Sequence, residues 1–109
     1  MSRYIQVVTT TDNKENAEKI AASAIELRLA ACVQITSCMS MYRWQANVER
    51  ADEFVCVMKS RMDLYSELES LIRRGHPYEV PEIIATEITA GSSDYLAWLD
   101  RELRTTVEE

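Results

Sequence analysis

The segment Gly75-His76-Pro77-Tyr78-Glu79-Val80-Pro81-Glu82 holds the only histidine, both prolines and one of the two glycines of the chain. An imidazole beside carboxylates can bind a soft or borderline divalent ion, with His76 as the nitrogen ligand and Glu79 or Glu82 giving oxygen. Copper and zinc are the ions this set suits, and only weakly, because one histidine and one or two carboxylates fill few coordination positions. No cofactor is required. The other reading is structural. His76 precedes a proline, which pushes its backbone toward an extended conformation, and its ring then serves to hydrogen-bond and shape the loop.

A second constellation joins Glu53, Lys59 and Glu82, on or beside predicted strands, with Trp44 and Tyr78. It suggests a polar cleft between subunits for a small ligand, with Lys59 as cationic anchor and Tyr78 and Trp44 as apolar walls. The competing reading is a set of ion pairs that fix strand register, since buried pairs can specify arrangement more than they stabilise. Catalysis has little support. A serine or cysteine nucleophile needs a base within reach, and His76 is near neither in sequence; His76 with Glu82 as an acid–base pair is the weakest reading. Cys32, Cys38 and Cys56 contain no Cys-x-x-Cys spacing and read as small buried apolar residues. Met39, Met41, Met58 and Met62 could bind copper(I) through sulfur, but core filling is the simpler expectation, as it is for Tyr95 and Trp98. The Thr9–Asn13 turn precedes a helix but lacks phosphate-wrapping glycines, so it reads as a cap.

Composition narrows the field. The chain has 109 residues, 47% apolar and 28% charged, with formal charge −6. That is one ordinary globular domain by length. Acids outnumber bases 18 to 12, which disfavours nucleic acid, whose binders must neutralise phosphates. An acidic surface suits cations better than anions. No run reaches the roughly 20 apolar residues of a membrane helix. Met1–Gln6 lacks a signal-peptide pattern, and an odd cysteine count argues against a disulfide framework; both lead to the expectation of a cytoplasmic protein.

These side chains must be positioned by regular elements. Tyr4–Thr10 reads as a strand. Asp12 and Glu15 form a capping-box pattern ahead of a helix to about Leu29, whose apolar face is mostly alanine. Ala31–Trp44 and Val48–Lys59 read as two long strands around a turn at Gln45-Ala46-Asn47. Ser60 can cap a second helix, with Gly75 just past its end. Ile83–Thr89 reads as a strand, broken by Gly91, and Ser92 or Ser93 can cap a last helix. This order predicts an α+β fold, a ferredoxin-like split β-α-β sandwich with a long hairpin and an added C-terminal helix. A strand-rich RNA-recognition domain shares the order but needs aromatics on a basic surface.

At this point the chain resembles the CutA family, the divalent-ion tolerance proteins, over nearly its whole length. The matching residues are the Thr-rich end of the first strand, Leu29-Ala30-Ala31-Cys32, Tyr42-x-Trp44 with Glu49, Glu53 and Lys59, His76-Pro77-Tyr78-Glu79-Val80-Pro81-Glu82, and Tyr95-Leu96-x-Trp98. The resemblance implies a homotrimer in which the long hairpins pair between subunits, covering their edges. It implies a binding or signalling role in the response to metal ions such as copper; the composition above already argues against a membrane or nucleic-acid partner. The alternative is a metabolite-binding regulator that uses clefts between subunits. Two copper-ligand positions of some bacterial members are replaced here, by Thr9 and Gly75, which leaves His76 with a partner expected from across the trimer. Many members have Gly-Lys where this chain has Ala46-Asn47, so Asn47 is expected to take the positive-φ turn position.

Overall fold

The computed structural model describes residues 3–106. The elements run β1 (Tyr4–Thr11), α1 (Lys14–Glu26), β2 (Cys32–Trp44), β3 (Asn47–Arg61), a 3-10 turn (Met62–Leu64), α2 (Tyr65–Gly75), β4 (Ile83–Glu87) and α3 (Ser93–Glu102). The strands form one antiparallel sheet in the order β2-β3-β1-β4. This is the expected ferredoxin-like α+β sandwich with one added helix.

The pairing register is unbroken, so alternation assigns every strand residue to a face. Ile5, Val7, Cys56 and Met58 share one face and are fully buried under the helices, with Ala17, Ala24, Leu68 and Ile72. Ala17 and Ala24 carry no more than a methyl group, so α1 lies close to the strands. The opposite face carries Gln6, Val8, Thr10, Val55, Val57 and Lys59, and α3 meets it at one end, where Asp100 accepts from Tyr4 and Arg61. β2 and β3 pair from Cys32–Lys59 to Trp44–Asn47, far past the end of β1, which draws the molecule out to 45 × 26 × 23 Å.

Several local expectations are corrected. Asn13, not Asp12, caps α1, its side chain accepting from the Asn16 amide at 2.8 Å; Thr11 is still strand, so Asp12 only turns the chain. α1 stops at Glu26, short of Leu29, because Arg28 adopts φ 59. Ser60 caps nothing. It lies inside β3, buried, and donates to the Leu29 carbonyl at 2.6 Å. Gly75 is the last residue of α2 with a negative φ, and the chain leaves through extended His76 (φ −95, ψ 136), as the following proline requires. β4 ends at Glu87, two residues early. At the hairpin tip Gln45 (φ 50) and Ala46 (φ 68) take the left-handed positions, while Asn47 pairs with Trp44 as strand. Two positive φ values in a two-residue loop are the pattern of a type I′ turn, whose twist matches the strands it joins.

Candidate functional site

His76 is held on both sides of its ring by its own chain. Its Nδ1 accepts the Tyr78 amide at 3.1 Å, and its Nε2 lies 2.7 Å from the Thr10 carbonyl. A carbonyl only accepts, so the proton sits on Nε2, which donates. Both nitrogens are thereby occupied, and the partner expected from across a trimer is the backbone of β1 instead. As positioned, the ring offers no lone pair to a metal. It ties the α2–β4 loop to the end of β1, and its edge meets the Tyr78 ring with centroids 4.8 Å apart.

That clamp aims Tyr78 at β3. The Tyr78 hydroxyl donates to Glu53 Oε2 at 2.6 Å, a short charge-assisted bond. Glu53 is only 5% exposed. Burial, then the bond to Glu53 and the charges of Glu53 and Asp12, push the Tyr78 phenol far above its ordinary range. It therefore stays a neutral donor. Where β2 and β3 leave the body of the sheet, a cavity of about 540 Å³ opens between the hairpin and the loop. Tyr42, Trp44, Glu53, Tyr78, Glu79 and Glu82 line it, and no lysine, arginine or histidine does. Thr10 Oγ1 makes a long contact of 3.5 Å to Glu82 Oε1 at its floor.

Of the residues expected from sequence, Trp44, Glu53, Tyr78 and Glu82 therefore converge, and Lys59 does not. Lys59 lies on the same strand face as Glu53 but six residues away, about 20 Å along an extended chain, and its Nζ donates to Gln34 Oε1 at 2.9 Å. Tyr42 and Val80 also line the cavity without having been singled out as site residues. Tyr42 shares a strand face with Trp44, a period-2 signal that could have found it. Cys56 lies in the core, where burial raises its thiol, whereas Cys32 and Cys38 are only half-buried on the opposite sheet face. Met58 fills the core as expected, but Met39, Met41 and Met62 are exposed, as is Tyr95; Tyr95 instead stacks obliquely on Trp98. Among the described residues no three His, Cys, Asp or Glu side chains converge to hold a metal ion.

The sequence profile of the CutA1 divalent ion tolerance protein family matches residues 5–102. The divalent-cation tolerance protein CutA of Pyrococcus horikoshii is 36% identical over 100 residues, 92% of this chain and 98% of that protein. A chloroplastic CutA of Arabidopsis thaliana is 39% identical over 101 residues, 92% of this chain but 56% of that protein. The crystal structure of the periplasmic CutA of Archaeoglobus fulgidus superposes with a TM-score of 0.91 at 32% identity, covering 93% and 99% of the two chains. These relatives overturn the cytoplasmic expectation: one is periplasmic and one chloroplastic, and neither compartment is written into the folded domain they share. No helix among the described residues is long and apolar enough to cross a membrane. The matches span nearly all of the folded domain, and the chain belongs to the CutA1 divalent ion tolerance protein family.

Proposed function

We propose that this protein serves divalent-cation tolerance by binding rather than by catalysis, as a homotrimer whose working site is the cavity between the hairpin and the His76–Glu82 loop. The carrying observation is the cavity itself: a buried carboxylate on the hairpin, a phenol aimed at it by the loop clamp, and aromatic walls from the hairpin and the loop. Concave sites with a few convergent polar groups are where ligands bind. A binding role is supported by the state of His76, whose ring nitrogens are both taken by backbone groups. Assembly is supported by the far hairpin, where Met39, Met41 and Val48, on the strand face away from Glu53, are 51–62% exposed, an apolar surface that a neighbouring subunit would cover.

The test is complementation of a metal-sensitive strain, with copper and zinc as the challenge ions, by wild type and by a Trp44→Ala/Glu53→Gln variant. Size-exclusion chromatography with light scattering reports the oligomer of each. Loss of tolerance in a folded variant is the expected result. Full tolerance in that variant would remove the cavity from the function.

A further inference from the structure

Resting on the reading of this cavity as the working site, we propose that its occupant is an organic cation, a di- or polyamine, rather than an anionic metabolite. Glu53 carries the argument. A side chain 5% exposed that bears a carboxylate is normally paired with a cation. Glu53 has no cationic partner among the described residues. Tyr78 occupies Oε2; Oε1 has no hydrogen-bond partner among the described residues yet is not one of their sealed, unpartnered atoms, and the Glu53 side chain lines the cavity. The other carboxyl groups of the wall, Glu79 and Glu82, are on the loop, and Asp12 adds a further negative charge felt at Tyr78.

Among the described residues no ion pair reaches Glu53, Glu79 or Glu82. The basic residues of the distal hairpin, Arg43 and Arg50, stand opposite Val48 and Met41 in the register, on the face away from Glu53. Lys59 is committed to Gln34. The walls then suit the same ligand class. Tyr42, Trp44 and Tyr78 offer π faces that attract an ammonium group, and the carboxylates accept its N–H bonds. Alkyl segments between ammonium groups fit against the aromatic surface. An anion would meet carboxylates and only neutral donors, such as the Ser40 and Tyr42 hydroxyls and the Trp44 indole.

Calorimetry on metal-free protein tests this with spermidine and putrescine, with tetramethylammonium as a cation lacking N–H donors, and with citrate and ATP as anions. Spermidine is expected to bind, and Glu53→Gln to weaken it by at least about tenfold, as loss of a desolvated charge partner does. Trp44→Ala should weaken it too. Glu18→Gln, on the exposed side of α1, should leave it unchanged; equal weakening there would reveal diffuse attraction to an acidic protein and overturn the proposal. Citrate or ATP binding that is sensitive to Trp44→Ala would keep the cavity as the site but refute its cation chemistry. Zinc or copper binding lost in Glu53→Gln, without spermidine binding, would refute the organic ligand. No binding by any probe, with Glu53→Gln instead weakening the oligomer, would mean that a neighbouring subunit supplies the missing cation, and would overturn both readings.

Discussion

Replacing Tyr78 by Phe removes one oxygen and leaves a nearly buried carboxylate without its donor. The bond is 2.6 Å long, and its acceptor is 5% exposed. A hydrogen bond to a charged group contributes about 1.5–3 kcal/mol net. Glu53 lines the cavity, where water can take part of the load, so the lower end, about 1.5 kcal/mol, is expected. With a urea m-value of about 1–3 kcal/mol/M, the midpoint should fall by roughly 0.5–1.5 M with m unchanged. Glu53→Gln and the double variant complete a cycle, and the coupling energy should exceed about 1 kcal/mol. Protomer concentration must be constant, since association adds to apparent stability.

The same pair sets an alkaline signature. The Tyr78 phenol is raised in the folded state, so its contribution is complete below the unfolded tyrosine value near 10 and declines as pH climbs above it. Tyr78→Phe should flatten that limb. Additive single variants, with coupling under about 0.5 kcal/mol, or an unchanged alkaline limb, would refute the claim that Tyr78 and Glu53 act as a unit.

Other consequences are local. The Gln45→Asn/Ala46→Gly variant should stabilise the hairpin by about 1 kcal/mol, read as a higher urea midpoint, because both positions now hold left-handed φ with side chains that resist it. Thr9 is fully buried and its Oγ1 has no partner, so Thr9→Val should raise stability by about 1 kcal/mol by removing an unsatisfied hydroxyl at equal shape. The Arg61 and Thr106 bonds outweigh burial and hold the Asp63 carboxyl below its ordinary value. Its contribution is therefore present above about pH 4 and lost as pH falls through the lowered value, and Asp63→Asn should flatten acid unfolding followed by circular dichroism. Long-range 1H–15N spectra should show His76 as the Nε2–H tautomer at neutral pH and above; an Nδ1–H ring would dissolve the clamp.

The element order was legible because the apolar period changes cleanly between 2 and 3.6 along the chain. What failed was local and had tertiary causes. Ser60 looks like a cap, but the β1 register runs from Thr11–Phe54 to Tyr4–Arg61, which keeps Ser60 in the strand and turns its hydroxyl to Leu29. Gln45 and Ala46 accept left-handed backbone because a long antiparallel register on either side fixes a two-residue loop. Among site residues, alternation could put Glu53 and Lys59 on one face, but it carries no account of distance, so a ligand and its anchor were joined that the strand holds far apart. The partner of His76 was out of reach of any motif, since it is a backbone carbonyl 66 residues upstream.

On the proposed reading of the cavity, the displacement of Lys59 changes the class of ligand it would take, not only one contact. With a lysine in the cleft, Glu53 and Glu82 would be its counter-charges and the pocket would select anions. Without it, the same carboxylates surround aromatic faces and a fixed phenol donor, and the local charge has the same sign as the net charge of −6. Net charge alone reports mainly on solubility and non-specific association. It becomes an argument about recognition only when low-dielectric walls gather like charges around one buried, half-satisfied carboxylate, where field lines are focused and a counter-ion is concentrated. In the proposed site Glu53 is the point where that would happen. The residue that makes it so is Tyr78, which neutralises one oxygen without neutralising the charge.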